Sequence, residues 1–183
     1  VTAPLAFGRK LPRNDWEGDD FTPGAGGEYV TCVDTSAGRA VSWATNGRKD
    51  YDGKVYRAAV HPHDYNGITL PQAAQAVKTV SGLGLLTPQG WTWSQAKACL
   101  LKGNGLLIIG PYSAIPRNYR YQAFADFSHA LWFSHLSLAS GIRGWDPLNP
   151  ETHAYGRWMP PAIVASFFTA GGATCAYVPL QPL

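Results

Sequence analysis

The stretch FSHALWFSHLSLASGIRGWDPL, Phe127 to Leu148, decides how the whole chain is read. Taken with a period of two, it puts His129, Leu131, Phe133 and His135 on one face of a strand and Ser128, Ala130, Trp132 and Ser134 on the other. Ser137, Ser140 and Gly141 interrupt the pattern, and a second apolar run from Ile142 to Asp146 is stopped by Pro147. This predicts a hairpin of two antiparallel strands. Such pairing brings an imidazole near the start of the first strand to a carboxylate at the end of the second. A histidine held by a carboxylate is two thirds of a nucleophilic triad, so a nucleophile is needed elsewhere in the chain. His135, on the face of His129, lies about 20 Å further along at ~3.3 Å per residue, too far to replace it in one site.

With 183 residues, 45% of them hydrophobic and only 15% charged, the chain is long and apolar enough for one domain with a real core. Seven Trp residues point the same way. The formal charge of +3 is mild. No Lys/Arg run interleaves with aromatics, so nucleic-acid binding has no support. Arg9, Lys10 and Arg13 sit in a Pro/Gly-rich leader and read as solvated charge. No stretch reaches the length of a membrane span, so no membrane partner is expected. No charged-then-apolar signal peptide opens the sequence, although Val1 in place of Met points to processing. The three cysteines, Cys32, Cys99 and Cys175, form no C-x-x-C and cannot all pair. That excludes a disulfide scaffold and argues against cysteine-bound zinc.

Residues 1–27, with their prolines and the Gly24-Ala25-Gly26-Gly27 run, read as an extended N-terminal arm, and residues 28–183 as the domain. From Cys32 the period becomes helical: Val33, Ala37, Ala40, Val41 and Ala44 share a face until Asn46-Gly47 stop the helix. Gly38 within it costs roughly 1 kcal/mol relative to alanine, which implies close packing against a neighbour. Residues 48–68 read as polar chain with a short apolar stretch, Val55 to Val60. Within it, His61-Pro62-His63-Asp64 is a candidate metal clip, though such spacing around proline is common in loops. Otherwise no metal or cofactor is expected. Thr69 caps a second helix that runs to Gly82. Thr92 and Gln95 form a capping box for a third that runs to Gly103. Leu106 to Ile109 reads as a buried strand, and residues 111–126 as a loop rich in Tyr and Arg, lining a substrate groove or a protein interface. A helix through Ile163, Val164, Phe167 and Phe168 and a last strand, Thr174 to Val178, complete the order. Helices first and then an antiparallel sheet make an α+β fold.

Cys32 answers the search for a nucleophile. It stands where irregular chain turns into the first helix, and a helix N-terminus carries about half a positive charge, which favours thiolate. Cys99, late in a capped helix, and Cys175, alternating into the last strand, read as core. Each candidate also has a plainer reading. A cysteine at a helix start is ordinarily a small packed residue, a lone histidine is more often core, and an Asp before Pro is often a turn residue.

A helix headed by cysteine, a buried strand, S-H-A-L-W-F on one strand and W-D-P-L on the next resemble the papain-like cysteine peptidases, of the C39-like type. Versions of this domain occur in phages of actinobacteria. The matching order is T-C-V-D-T-S-A-G-R-A-V, G-I-T-L-P-Q-A-A-Q-A-V, G-L-L-I-I-G-P-Y, S-H-A-L-W-F, W-D-P-L and G-R-W-M-P, spanning about residues 28 to 170. The resemblance implies a papain-like fold with Cys32 as nucleophile, His129 as general base and Asp146 orienting the ring. An oxyanion hole would use the Cys32 backbone N–H and one side-chain donor. It further implies a phage virion as location. A peptide substrate, such as a bacterial cell-wall peptide, or neighbouring virion proteins reached through the arm would be its partners, with a homo-oligomer within the virion.

The chain departs from the family pattern at three points. The side-chain donor is often a Gln shortly upstream of the cysteine, here around Gly26, yet no Gln or Asn lies between Phe21 and Cys32. Loss of one such donor costs about 100- to 1000-fold in rate. Asp34 places negative charge near the thiol and opposes its ionisation, and the branched Val33 follows the nucleophile. Two functions follow: a cysteine peptidase or amidase, or a silent virion component, minor tail or capsid-associated, that keeps the domain as a scaffold. A metal-dependent hydrolase centred on His61 and His63 is a third, weaker class.

Overall fold

A computed structural model describes residues 32–60, 67–120, 127–148 and 156–182. The arm assigned to residues 1–27 and the His61/His63/Asp64 cluster lie outside the described residues. Among the described residues, five α-helices and one antiparallel sheet make up the fold, which is α+β as the element order predicts. The helices are α1 (Cys32–Ala44), α2 (Gly53–Val60), α3 (Leu70–Ser81), α4 (Trp93–Leu101) and α5 (Pro161–Ala170). The strands are β1 (Leu106–Pro111), β2 (Ser128–Ser137), β3 (Gly141–Trp145), β4 (Arg157–Met159) and β5 (Cys175–Ala176), in the order β4-β3-β2-β1-β5. Among the described residues no helix is long and apolar enough to cross a membrane.

The central strands explain the layering. Successive residues of β1 and β2 point to opposite faces, and they divide between two apolar clusters. Leu107, Ala130 and Trp132 pack with α1 and α3. Leu106, Ile108, Leu131 and Phe133 pack with α4 and α5. Full burial of one such aliphatic or aromatic side chain contributes about 1.5–3 kcal/mol, so the run Leu106 to Ile108 locks the sheet between its helices.

α1 is the best-enclosed element. Every residue from Val33 to Ala44 is buried, including Asp34, Thr35, Ser36, Arg39 and Ser42. The apolar face read from the sequence is therefore only part of its packing: helix and sheet surround it. One wall is α2, which the polar composition of residues 48–68 conceals. Gly38 marks where α2 arrives, since a Cβ there would lie 3.1 Å from the Tyr51 carbonyl and 3.4 Å from the Tyr56 ring. The close packing expected at that glycine is present.

The capped helices form as predicted. The Thr69 N–H donates to Gln72 Oε1 at 2.8 Å, and the Thr92 N–H to Gln95 Oε1 at 2.8 Å. Each box occupies a backbone donor next to the amides a helix start leaves unpaired. α3 ends at Gly82, whose φ of 74° is the left-handed cap that glycine adopts freely.

The hairpin also forms, with one correction. β2 and β3 pair Trp132 with Trp145 and Phe133 with Gly144, but the register slips between Phe133 and His135. This irregularity places Leu136 with Leu131 and Phe133 in the α4/α5 cluster. His135 instead stacks on Trp43 of α1, centroids 5.7 Å apart and planes 3° from parallel. A strict period of two would put His135 on the face of His129; one surplus residue reverses it.

Candidate active site

Three elements deliver three side chains to one place. α1 presents Cys32 as its first residue, half-buried where the remainder of the helix is enclosed. β2 presents His129, paired across the ladder with Gly110 of β1. Asp146 follows the last residue of β3, just before Pro147. Antiparallel pairing of β2 with β3 closes the distance between the last two: His129 Nε2 lies 2.9 Å from Asp146 Oδ1. The Cys32 side chain lies near enough to the same imidazole to help raise its pKa. The three residues read from the sequence as a set are thus brought together.

The carboxylate is held from several sides. Asp146 Oδ1 also accepts the Leu148 N–H at 3.0 Å, a local turn that Pro147 favours. Its Oδ2 accepts the hydroxyl of Tyr112. Tyr112 was not legible as a site residue, since it falls in the loop rich in Tyr and Arg. The one available signal is its place directly after a buried strand that pairs with the histidine strand.

Electrostatics follow from this geometry. His129 and Asp146 are 2% and 3% exposed, so burial disfavours charge on both. For His129, that penalty is outweighed by the bonds to Asp146 and Cys32, and the imidazole is pushed up to about 10. For Asp146, burial acts to raise the pKa, but the bond and charge of His129, then the bonds from Tyr112 and Leu148, hold it below its usual 3.8. At neutral pH the pair is imidazolium and carboxylate.

The negative charge expected from Asp34 is answered within the fold. Asp34 is fully buried, and Arg57 of α2 places Nη1 3.3 Å from its Oδ2. The counter-ion comes from the helix that the sequence pattern hides. Breaking such a buried pair typically costs about 3–5 kcal/mol, so this contact fixes α2 against α1, the helix that begins at Cys32.

His135 is not part of the site, nor are the other thiols. Burial pushes Cys99 up to about 12 and Cys175 up to about 11, which keeps both protonated. Hollows open beside the sheet among the described residues. One of about 460 Å³, lined by Tyr119, Leu136, Leu138, Trp158 and Pro160 among others, opens at the turn joining β2 to β3. A second of about 380 Å³, bordered by Gly110, Pro111, Ser128 and Gly171, lies at the end of β2 that carries His129. The larger lies at the far end of β2 and gathers no acid–base set; chemistry, rather than volume, locates the site.

The fold and the three converging groups define a papain-like arrangement. A crystal structure described as a C39-like peptidase from Bacillus anthracis superposes with a TM-score of 0.55 at 12% identity, over 83% of this chain and 90% of that one. At that identity the likeness shows the fold: this chain has the fold of a C39-like peptidase. No protein-family model matches the sequence, and no curated protein matches it.

Proposed function

We propose that the protein is a cysteine hydrolase that cleaves peptide or amide bonds. Cys32 is the nucleophile, His129 the acid–base partner and Asp146 the residue that orients the ring. One observation carries this reading: a single buried imidazole is bonded to a carboxylate and lies within electrostatic reach of a thiol at a helix N-terminus. The thiolate attacks the carbonyl carbon, and the imidazolium gives its proton to the leaving amine as the C–N bond breaks. Water, deprotonated by the now neutral His129, then attacks the thioester; the C–S bond breaks, releasing the acid and restoring the thiolate–imidazolium pair.

The sequence resemblance supports a finer version. The enzyme is phage-encoded and carried in the virion, acting on peptide bonds such as those of the bacterial cell wall, with residues 1–27 holding neighbouring virion proteins or further copies of the chain. A second reading has its own observation. No Gln or Asn between Phe21 and Cys32 supplies the expected oxyanion donor, which favours a silent virion scaffold.

Iodoacetamide at neutral pH separates the two. The hydrolase alkylates fast at Cys32 alone, since Cys99 and Cys175 are buried and protonated. Equal sluggishness at all three thiols supports the scaffold. Cys32→Ala is expected to keep the fold and abolish hydrolysis; retained hydrolysis would assign the nucleophile elsewhere.

A further inference from the structure

We propose that Tyr112 is a positioning residue: its hydroxyl pins one oxygen of the Asp146 carboxylate so that the other stays aimed at His129. The role rests on reading Cys32, His129 and Asp146 as a catalytic set. Tyr112 itself is fixed before its hydroxyl is considered. It follows Pro111 at the end of β1, and its N–H donates to the Phe127 carbonyl at 2.8 Å. Its ring stacks on Phe127, centroids 5.6 Å apart, and meets the His129 ring edge-on at 4.9 Å and 67°. The Arg120 guanidinium carbon lies 5.8 Å from its centroid. From this seat the fully buried phenol reaches Asp146 across 34 residues of chain.

The consequence lies in how the carboxylate is shared. Oδ1 takes both the His129 ring at 2.9 Å and the Leu148 N–H at 3.0 Å. Oδ2 takes the Tyr112 hydroxyl. With donors on both oxygens, the carboxylate cannot turn about its Cβ–Cγ bond without losing one. Remove the hydroxyl, and Oδ2 loses this donor while the Oδ1 contacts remain. A ring needed for packing alone would do as well as phenylalanine. A hydroxyl aimed at a charged oxygen adds a directed, charge-assisted bond, and it favours the ionised acid that His129 requires.

The test is the titration of the Asp146 carboxyl carbon by NMR. Tyr112→Phe keeps the ring and deletes the donor, and is expected to move that titration upward by about one pH unit. Replacing Tyr112 by 3-fluorotyrosine keeps ring and hydroxyl but makes a stronger donor, and moves the titration further down; this arm stands if the phenylalanine variant does not fold. A titration unmoved by the donor changes overturns the proposal, and a change in melting temperature alone would mean that the ring only fills space. Alkylation of Cys32 in the unaltered protein reports separately on the hydrolase reading, because the carboxyl titration does not depend on the thiol.

Discussion

His129 and His135 stand at opposite ends of β2, and their chemistry diverges. His129 is bonded to a carboxylate and lies near a thiol, and its pKa is pushed up to about 10. His135 lies flat on Trp43, with Trp158 edge-on at 5.5 Å and the Ser134 hydroxyl at 2.8 Å from its Nδ1. Burial, then the positive charge of Arg143, push its pKa below the ordinary 6.5. Burial works against charge in both rings. What separates them is the partner: an anion at one end, a guanidinium and two indoles at the other. The difference shows that the site is made by what converges on a histidine, and that the strand pattern holding it is shared by a ring with no such role.

The largest effect should come from removing the paired ring. His129→Gln is expected to lower kcat/KM for an unstructured peptide about 1000-fold or more, while His135→Gln stays within about twofold. Comparable losses in both variants would erase the distinction. Next comes the anion. Asp146→Asn should bring the His129 titration, followed by NMR, from about 10 down toward the ordinary 6.5 and cost about 100-fold in rate. An imidazole that still titrates near the higher value would show that the thiol, not the carboxylate, holds its proton.

The smallest effects are in stability, and the two rings give slopes of opposite sign. The raised pKa of His129 contributes stability that is full below 6.5 and is lost as pH climbs through about 10. The depressed pKa of Asp146 contributes stability above 3.8 that is lost as pH falls through its lower folded value. His135 favours its neutral form, so its share is present above 6.5 and lost as pH falls below it. Urea midpoints across pH should therefore show an alkaline decline that His129→Gln flattens and a weaker decline below pH 6.5 that His135→Gln flattens. An alkaline limb unchanged in the His129 variant would place its origin elsewhere.

Much of this was legible because the signals are local. Thr69, and Thr92 with Gln95, mark helix starts by side-chain chemistry that does not wait for tertiary contacts. The hairpin shows in its alternation, and its two ends carry His129 and Asp146. What escaped has a physical reason in each case. α2 is only eight residues long, and an apolar run that short cannot be told from a strand by its periodicity alone. β4, three residues long, exists as a strand only beside β3. The slip near Ser134 leaves no trace in the sequence, since a polar residue suits either face there. Tyr112 was hidden for the opposite reason: it sits among several tyrosines, and only the fold singles one out.

Because α1 is walled in along its length, it cannot slide or rotate without opening the core around Trp43 and Trp132. The sulfur at its tip is a fixed post. Any tightening between a resting and a loaded site has to come from the imidazole side, where a short lever of Tyr112, Asp146 and His129 sets the aim.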